Sequence, residues 1–237
     1  MPTKLSPSFA TEQLRRPLVA TDIVVFAIRD GALSVVLIRR AMPPFAGKWA
    51  LPGGFVLPEE TVDRAAQREL REETDVQIAE GYLEQLYTFG NVHRDPRGRV
   101  ISVAYLALIP GEAAVPRGGS DAAEAQWWPM ERLPPLAFDH AQIIAYAVTR
   151  LRYKLEYTNV LYAALPNRFS LTELQEAYEA VLGKSLDKRN FRKKIVALGF
   201  VQPTTQYRKP EQGRPAQLWR FTKRTPVSVK TFVTKAG

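Results

Sequence analysis

The sequence predicts an α/β protein, an α/β/α sandwich built on a mixed sheet, followed by a winged helix-turn-helix domain. Three observations lead there. Val- and Ile-rich runs alternate with amphipathic segments over the first two thirds of the chain, where Asp30-Gly31 marks a tight hairpin. The last third holds two capped helices in succession, then two short β-like runs around a basic turn. Charge divides at the same place. Residues 1–155 hold 18 Lys or Arg against 18 Asp or Glu, whereas residues 156–237 hold 15 against 6, so 15 − 6 = +9 is the net charge of the whole chain.

Residues 18–28 and 33–40 are the first strands, paired antiparallel about Asp30-Gly31. The segment GFVLPEETVDRAAQRELREETDV, residues 54–76, holds a helix: Pro58 precedes its start, Glu59 and Glu60 favour its positive end, and residues 64–73 are helix formers. Residues 82–89 and 100–109 are two more strands, joined by the polar loop 91–99, and residues 124–128 another. An Asp139 cap opens a helix over 139–152, with Ile143, Ile144, Ala147 and Leu151 on one side, that leads out of the first domain. A domain boundary near 154–156 then gives units of 1–154 and 155–237.

In the second unit Ser170-Leu171-Thr172-Glu173 is a capping box, opening a helix that Gly183 ends after Leu182. Asp187 caps the next helix, 188–198, closed by Gly199. Phe191, Ile195 and Leu198 form its inward stripe; Arg189 and Lys193 point away, with Asn190 and Arg192 flanking. Residues 200–207 and 217–221 are the wing, to whose core Trp219 and Phe221 contribute.

A hydrophobic fraction of 46% is ample for a core, and the absence of cysteine excludes disulfides and thiolate metal sites. The first residues lack the apolar run of a signal peptide and no stretch has the length to span a bilayer, so a cytoplasmic protein without a membrane partner is expected.

Chemistry concentrates at two places. Offsets of three and four residues bring Glu69, Glu72 and Glu73 onto one helical face that borders the buried side. These like charges repel, and they sit near a helix C-terminus, where the macrodipole disfavours anions. Arg68 reaches Glu72 but leaves two carboxylates, so a hard cation, Mg²⁺ or Mn²⁺, suits the cluster; the plainer reading is a solvated acidic face. Gly53 and Gly54 ahead of the helix allow close backbone approach to a ligand. The second place is the basic helix, whose Lys188, Arg189, Asn190, Arg192 and Lys193, with Arg214 of the wing, point to double-stranded DNA. Arg and Asn suit base edges, and Lys193, Lys194, Lys209 and Arg214 suit phosphates; RNA is the weaker alternative. Arg94, Arg97 and Arg99 form either a phosphate contact or a solvated loop tip. His93 and His140 read as structural histidines, and Glu124 as an accessory carboxylate.

Gly54, Glu60, Arg68, Glu69, Leu70, Glu72, Glu73 and Val76 match the motif of the Nudix family, which this segment resembles, with Asp75 in place of its late glycine. The resemblance implies a Nudix-type sandwich in which Glu69, Glu72 and Glu73 ligate a divalent metal, one of them serving as base, with Arg68 orienting them. Family enzymes hydrolyse a nucleoside diphosphate linked to another group. Further stretches, residues 45–55, 83–89, 95–99, 136–140 and 186–192, make the whole chain similar to the Nudix-related regulators of NAD metabolism, the NrtR type. That resemblance implies a homodimeric repressor of operator DNA, released by ADP-ribose or a related nucleotide. The alternative it leaves open is a Mg²⁺-dependent hydrolase of the ADP-ribose pyrophosphatase kind with an accessory basic domain.

Overall fold

The computed structural model describes residues 16–76, 78, 81–111, 122–209 and 215–228. Strand β1 (Leu18–Arg29) turns through Asp30 and Gly31, at φ 49° and 75°, into β2 (Ala32–Arg40), the backbone that a two-residue hairpin of matching twist requires. The two strands pair only over residues 26–29 and 32–35 and then part. Into the fork comes the segment 49–55: β3 (Trp49–Ala50) pairs with β2, and β4 (Gly53–Phe55) pairs with β1. On its other edge β1 runs parallel to β6 (Val100–Leu108), which pairs antiparallel with β5 (Tyr82–Phe89), while β2 pairs with β7 (Ala122–Pro129). The result is the expected mixed sheet, of seven strands among the described residues.

Alternation along β1 sends Ile23, Val25 and Ala27 to one face and Val24 and Phe26 to the other, and both sets are fully buried. The first face packs on Ala66 and Leu70 of α1 (Val62–Thr74), the second on Ile143, Ile144, Ala147 and Leu151 of α2 (His140–Tyr157). One helix on each side makes the sandwich.

Thr61 caps α1, its hydroxyl accepting from the Arg64 N–H, and Asp75 ends it in the left-handed conformation at φ 58°. That geometry favours glycine, and an acidic side chain here also faces the negative end of the helix dipole. Replacement Asp75→Gly is expected to stabilise the protein by about 0.5–1 kcal/mol, a melting-point rise of about 2 °C by calorimetry.

Two features of α2 differ from the sequence expectation. Asp139 stands at its N-cap but makes no capping bond, because its carboxylate is taken by Arg94. The helix also runs on to Tyr157, unbroken across the boundary drawn at 154/155. A buried 3₁₀ turn, Val160–Ala163, leads into α3 (Leu171–Leu182), whose capping box and Gly183 terminator both form. Next come α4 (Lys188–Ala197), capped by Asp187, and the hairpin β8 (Val201–Arg208) with β9 (Ala216–Phe221). The inward stripe packs as expected: Phe191 and Ile195 are buried, and the Phe191 ring meets Tyr178 of α3 at 5.2 Å. Phe221 is buried and Trp219 partly so. Buried Asn159 ties this unit's end to its start, donating to the carbonyls of Lys223 and Thr225 and accepting from the Val227 N–H. A single apolar cluster runs from the α2 face of the sheet through α2 and the 3₁₀ turn into α3, α4 and the hairpin. Among the described residues no helix is long and apolar enough to cross a membrane.

Candidate functional site

The fork between β1 and β2 opens into a cavity of about 400 Å³. Gly54, Arg68, Glu69, Glu72, Glu73, Arg94 and Arg97 all line it, brought from a short strand, a helix and a loop. Gly54 is required by contact: a Cβ there would run into the Glu69 carboxylate. Gly53 is held as closely, its would-be Cβ meeting the Thr21 carbonyl of β1. A flexible carboxylate yields more readily than backbone, so Gly54→Ala is expected to cost under about 1 kcal/mol of stability. It displaces the Glu69 carboxylate from its seat against the glycine, a change the Arg68 hydrogen bond must absorb.

Arg68 organises the acidic helix. Its guanidinium bonds Glu60 at 2.6 and 3.0 Å, Glu69 at 2.8 Å and Glu72 at 3.2 Å, and donates to the Phe55 carbonyl at 3.2 Å. The Arg68 hydrogen bonds hold the Glu60 carboxyl down at about 2. Glu73 is buried, accepts from the Gly53 N–H at 2.8 Å, and is pushed up to about 8 by burial, with Glu69 adding to the effect. Burial raises Glu69 as well, against the pull of Arg68. Burial therefore disfavours the charged form of two carboxylates in the pocket.

Among the described residues no three acidic or histidine side chains converge closely enough to grip an ion as they stand. Arg68 holds Glu69 and Glu72, and the Gly53 N–H holds Glu73. The donor set nonetheless fits a hard divalent cation: all ligands are carboxylate oxygens, and two of them ionise against a burial penalty that a cation would offset.

Behind the carboxylates lies a buried network that sequence reading did not assemble. Asp22 of β1 accepts from the Arg94 guanidinium at 3.0 Å and from the Ser102 hydroxyl at 2.5 Å, and faces His140 Nε2 at 3.3 Å. Burial opposes ionisation of Asp22, but His140, Arg94 and Ser102 together hold its carboxyl well below the usual range. His140 Nδ1 accepts from the Leu51 N–H at 2.8 Å, so its proton sits on Nε2, facing Asp22. Arg94 also pairs with both oxygens of Asp139, at 3.0 and 2.7 Å. One signal was available: Asp22 is the lone charge in a strand otherwise apolar from Ala20 to Ile28 apart from Thr21.

Arg97 is held by Asp95 and lies 5.0 Å over the Phe55 ring and 5.8 Å from that of Phe138, which Arg40 also covers, at 5.0 Å. Arg99 does not line the cavity; its guanidinium is spent on the Gly90 and Asn91 carbonyls. Glu124 is also off the cavity, 3.9 Å from Arg39.

On the second unit, Lys188, Arg189, Asn190, Lys193 and Lys194 are exposed along α4. Arg192 is half-buried and turns toward α3, donating to the Thr172 hydroxyl at 3.3 Å. Arg214 falls outside the described residues, and Lys209 is the last described residue on its side of the wing.

The arrangement, an acidic pocket and a cationic helix face in one chain, has counterparts. A NUDIX domain model matches residues 17–147, and a model described as the NrtR DNA-binding winged helix domain matches residues 161–221. The "ADPR responsive transcriptional repressor NtrR" of Acinetobacter baylyi is 39% identical over 209 residues, 86% of this chain and 82% of that protein. The crystal structure of Shewanella oneidensis NrtR complexed with a 27mer DNA superposes with a TM-score of 0.74 at 37% identity, covering 87% of this chain and 94% of that one. The NUDIX domain of the same Shewanella protein, complexed with ADP ribose, covers 61% of this chain and 96% of its own, with TM-score 0.54 and 36% identity. With both models in sequence along one fold and a relative matched over most of its length, the chain belongs to the NrtR type of Nudix regulators.

Proposed function

We propose that this protein is a transcriptional repressor whose pocket binds ADP-ribose or a related nucleotide as effector and whose α4 face binds double-stranded operator DNA. The observation that carries the reading is the joining of the two sites by one helix and one continuous core, with the whole net charge of +9 on the α4 side. The repressor from Acinetobacter and the two Shewanella complexes support it. In this reading residues 1–154 sense and residues 155–237 read, in a cytoplasmic protein acting on genes of NAD metabolism.

Lys188, Arg189, Asn190 and Lys193 meet the DNA, with Arg192 set back against Thr172, and Arg214, outside the described residues, is a further phosphate contact in this reading. A single recognition helix reads one half-site, so a homodimer fits a palindromic operator. In the pocket Arg94 and Arg97 are the cations for a pyrophosphate, Phe55 and Phe138 the apolar surface for a base, and Glu69, Glu72 and Glu73 the ligands for Mg²⁺ or Mn²⁺. Such a cation, when bound, supplies positive charge to phosphoryl oxygens. The chain's own residues orient the ligand: Arg68 keeps Glu69 and Glu72 in place, and the Gly53 N–H keeps Glu73.

The test is selection of bound duplexes from a random DNA pool, repeated with ADP-ribose. Enrichment of a palindromic sequence, lost when ADP-ribose is added, is the expected result; no enrichment would sink the reading. Glu73 also favours a second activity. A buried carboxyl pushed up to about 8 is matched to proton transfer near neutral pH, and production of AMP from ADP-ribose, abolished in Glu73→Gln, would establish it.

A further inference from the structure

We propose that α2 is the lever that carries nucleotide occupancy to the DNA-reading unit, with Asp139 at its start and Arg152 in its far half as the positioning residues. The inference rests on the functional reading above and adds the route.

The near end of the helix is committed to the pocket. Asp139 stands where an aspartate ordinarily caps the first turn, yet both its oxygens are bound by Arg94 and it makes no capping bond. Arg94 lines the cavity, so the same guanidinium that reaches an entering phosphate is the one restraining the start of α2. A phosphate that takes Arg94 hydrogen bonds frees the Asp139 carboxylate, whose nearest unmet task is the first turn of its own helix. The next residue, His140, is pinned to the Leu51 N–H of the fork segment and to Asp22, so movement at this end is felt directly by the cavity wall.

The helix spans 18 residues, about 27 Å at the usual rise. In its far half, more than one turn before the end at Tyr157, Arg152 Nε donates to the Val181 carbonyl of α3 at 2.9 Å, in the last turn before the Gly183 cap. A cation on an otherwise orphan carbonyl at a helix C-terminus is a favourable attachment. From α3 the contact passes to the recognition helix through Tyr178 and Phe191. The reader has space to reseat: clefts of about 420 and 730 Å³ lie on either side of the β1–β2 hairpin tip where it faces α3, with Glu176 lining both. The route is thus a chain of direct contacts with a partner exchange at one end and a compliant joint at the other.

The experiment uses the full chain and a fluorescent duplex recovered by the selection above. Duplex affinity is measured with and without saturating ADP-ribose, and ADP-ribose affinity with and without duplex, for wild type, Arg152→Met and Asp139→Asn. In wild type, ADP-ribose is expected to weaken the duplex about tenfold, with the same factor returned reciprocally. Both variants are expected to hold the duplex within about threefold of wild type in the absence of nucleotide, while the coupling factor falls below about twofold. A purely structural role would alter one affinity or the other but leave the factor intact. Arg152 is exposed, so its replacement keeps the test alive even if Asp139→Asn fails to fold. Retention of the wild-type factor in Arg152→Met overturns the inference alone. A wild type with no response to ADP-ribose overturns the functional reading and the inference together.

Discussion

Replacing Arg189 by alanine is expected to weaken duplex binding by about 1–3 kcal/mol, roughly 5- to 150-fold, and to leave ADP-ribose binding unchanged. Arg189 is exposed in the first turn of α4, and among the described residues its side chain makes no hydrogen bond or ion pair. Its fork of donors is therefore wholly available to a base edge. Arg192→Ala is expected to act in the same direction but more weakly, because that guanidinium already serves Thr172 and is half-buried. Anisotropy titrations against the selected duplex and a scrambled one separate the effects: loss of discrimination marks a base contact, and a uniform loss marks a phosphate contact. Equal ADP-ribose affinity in all three proteins, by calorimetry, confirms the division of labour; loss of both activities in Arg189→Ala contradicts it.

Glu73→Gln is the second large effect, and its sign depends on pH. Burial pushes the Glu73 carboxyl from 4.5 to about 8, so between those values the folded protein retains a proton that the unfolded chain has released. Stability therefore falls as pH rises through that window. The amide removes this dependence while still accepting from the Gly53 N–H, so without divalent cation the variant is expected to be more stable at pH 8 by about 1–3 kcal/mol. At pH 4, where both states of the wild type are protonated, the two proteins should melt alike. Adding Mg²⁺ reverses the order, stabilising wild type through the ionised carboxylate and leaving the variant nearly unmoved. Melting curves at both pH values, with and without Mg²⁺, read all four outcomes; a variant less stable at pH 8 without cation would show that Glu73 is paired in a way the hydrogen bonds do not record.

The elements that could be read from the sequence are those whose causes are local. Asp30-Gly31, Ser170 with Glu173, Asp187 and the glycines after α3 and α4 all act within a few residues, and each forms as expected. The glutamate face of α1 was equally legible, since helical spacing alone sets it. What escaped depends on contacts far apart in the chain. The parting of β1 from β2 is decided by where residues 49–55 insert, and so the cavity itself left no local trace. Arg94 meets Asp139 at a separation of 45 residues and Asp22 at 72, which is why its loop read equally well as a solvated tip and why Asp139 read as an ordinary cap. Arg99, two residues beyond Arg97, turns to backbone carbonyls instead, a difference that no composition argument separates.

One chain is expected to bind DNA and to release it when its pocket is filled. The most direct measurement is a titration of the selected duplex with full-length protein across a range of salt concentrations, with and without ADP-ribose. Sequence-dependent binding that weakens steeply with salt is expected, as phosphate contacts from α4 and the wing require, with a further drop of about tenfold on adding ADP-ribose. Duplex affinity that is identical with and without ADP-ribose, at nucleotide concentrations where calorimetry shows the pocket filled, would contradict it.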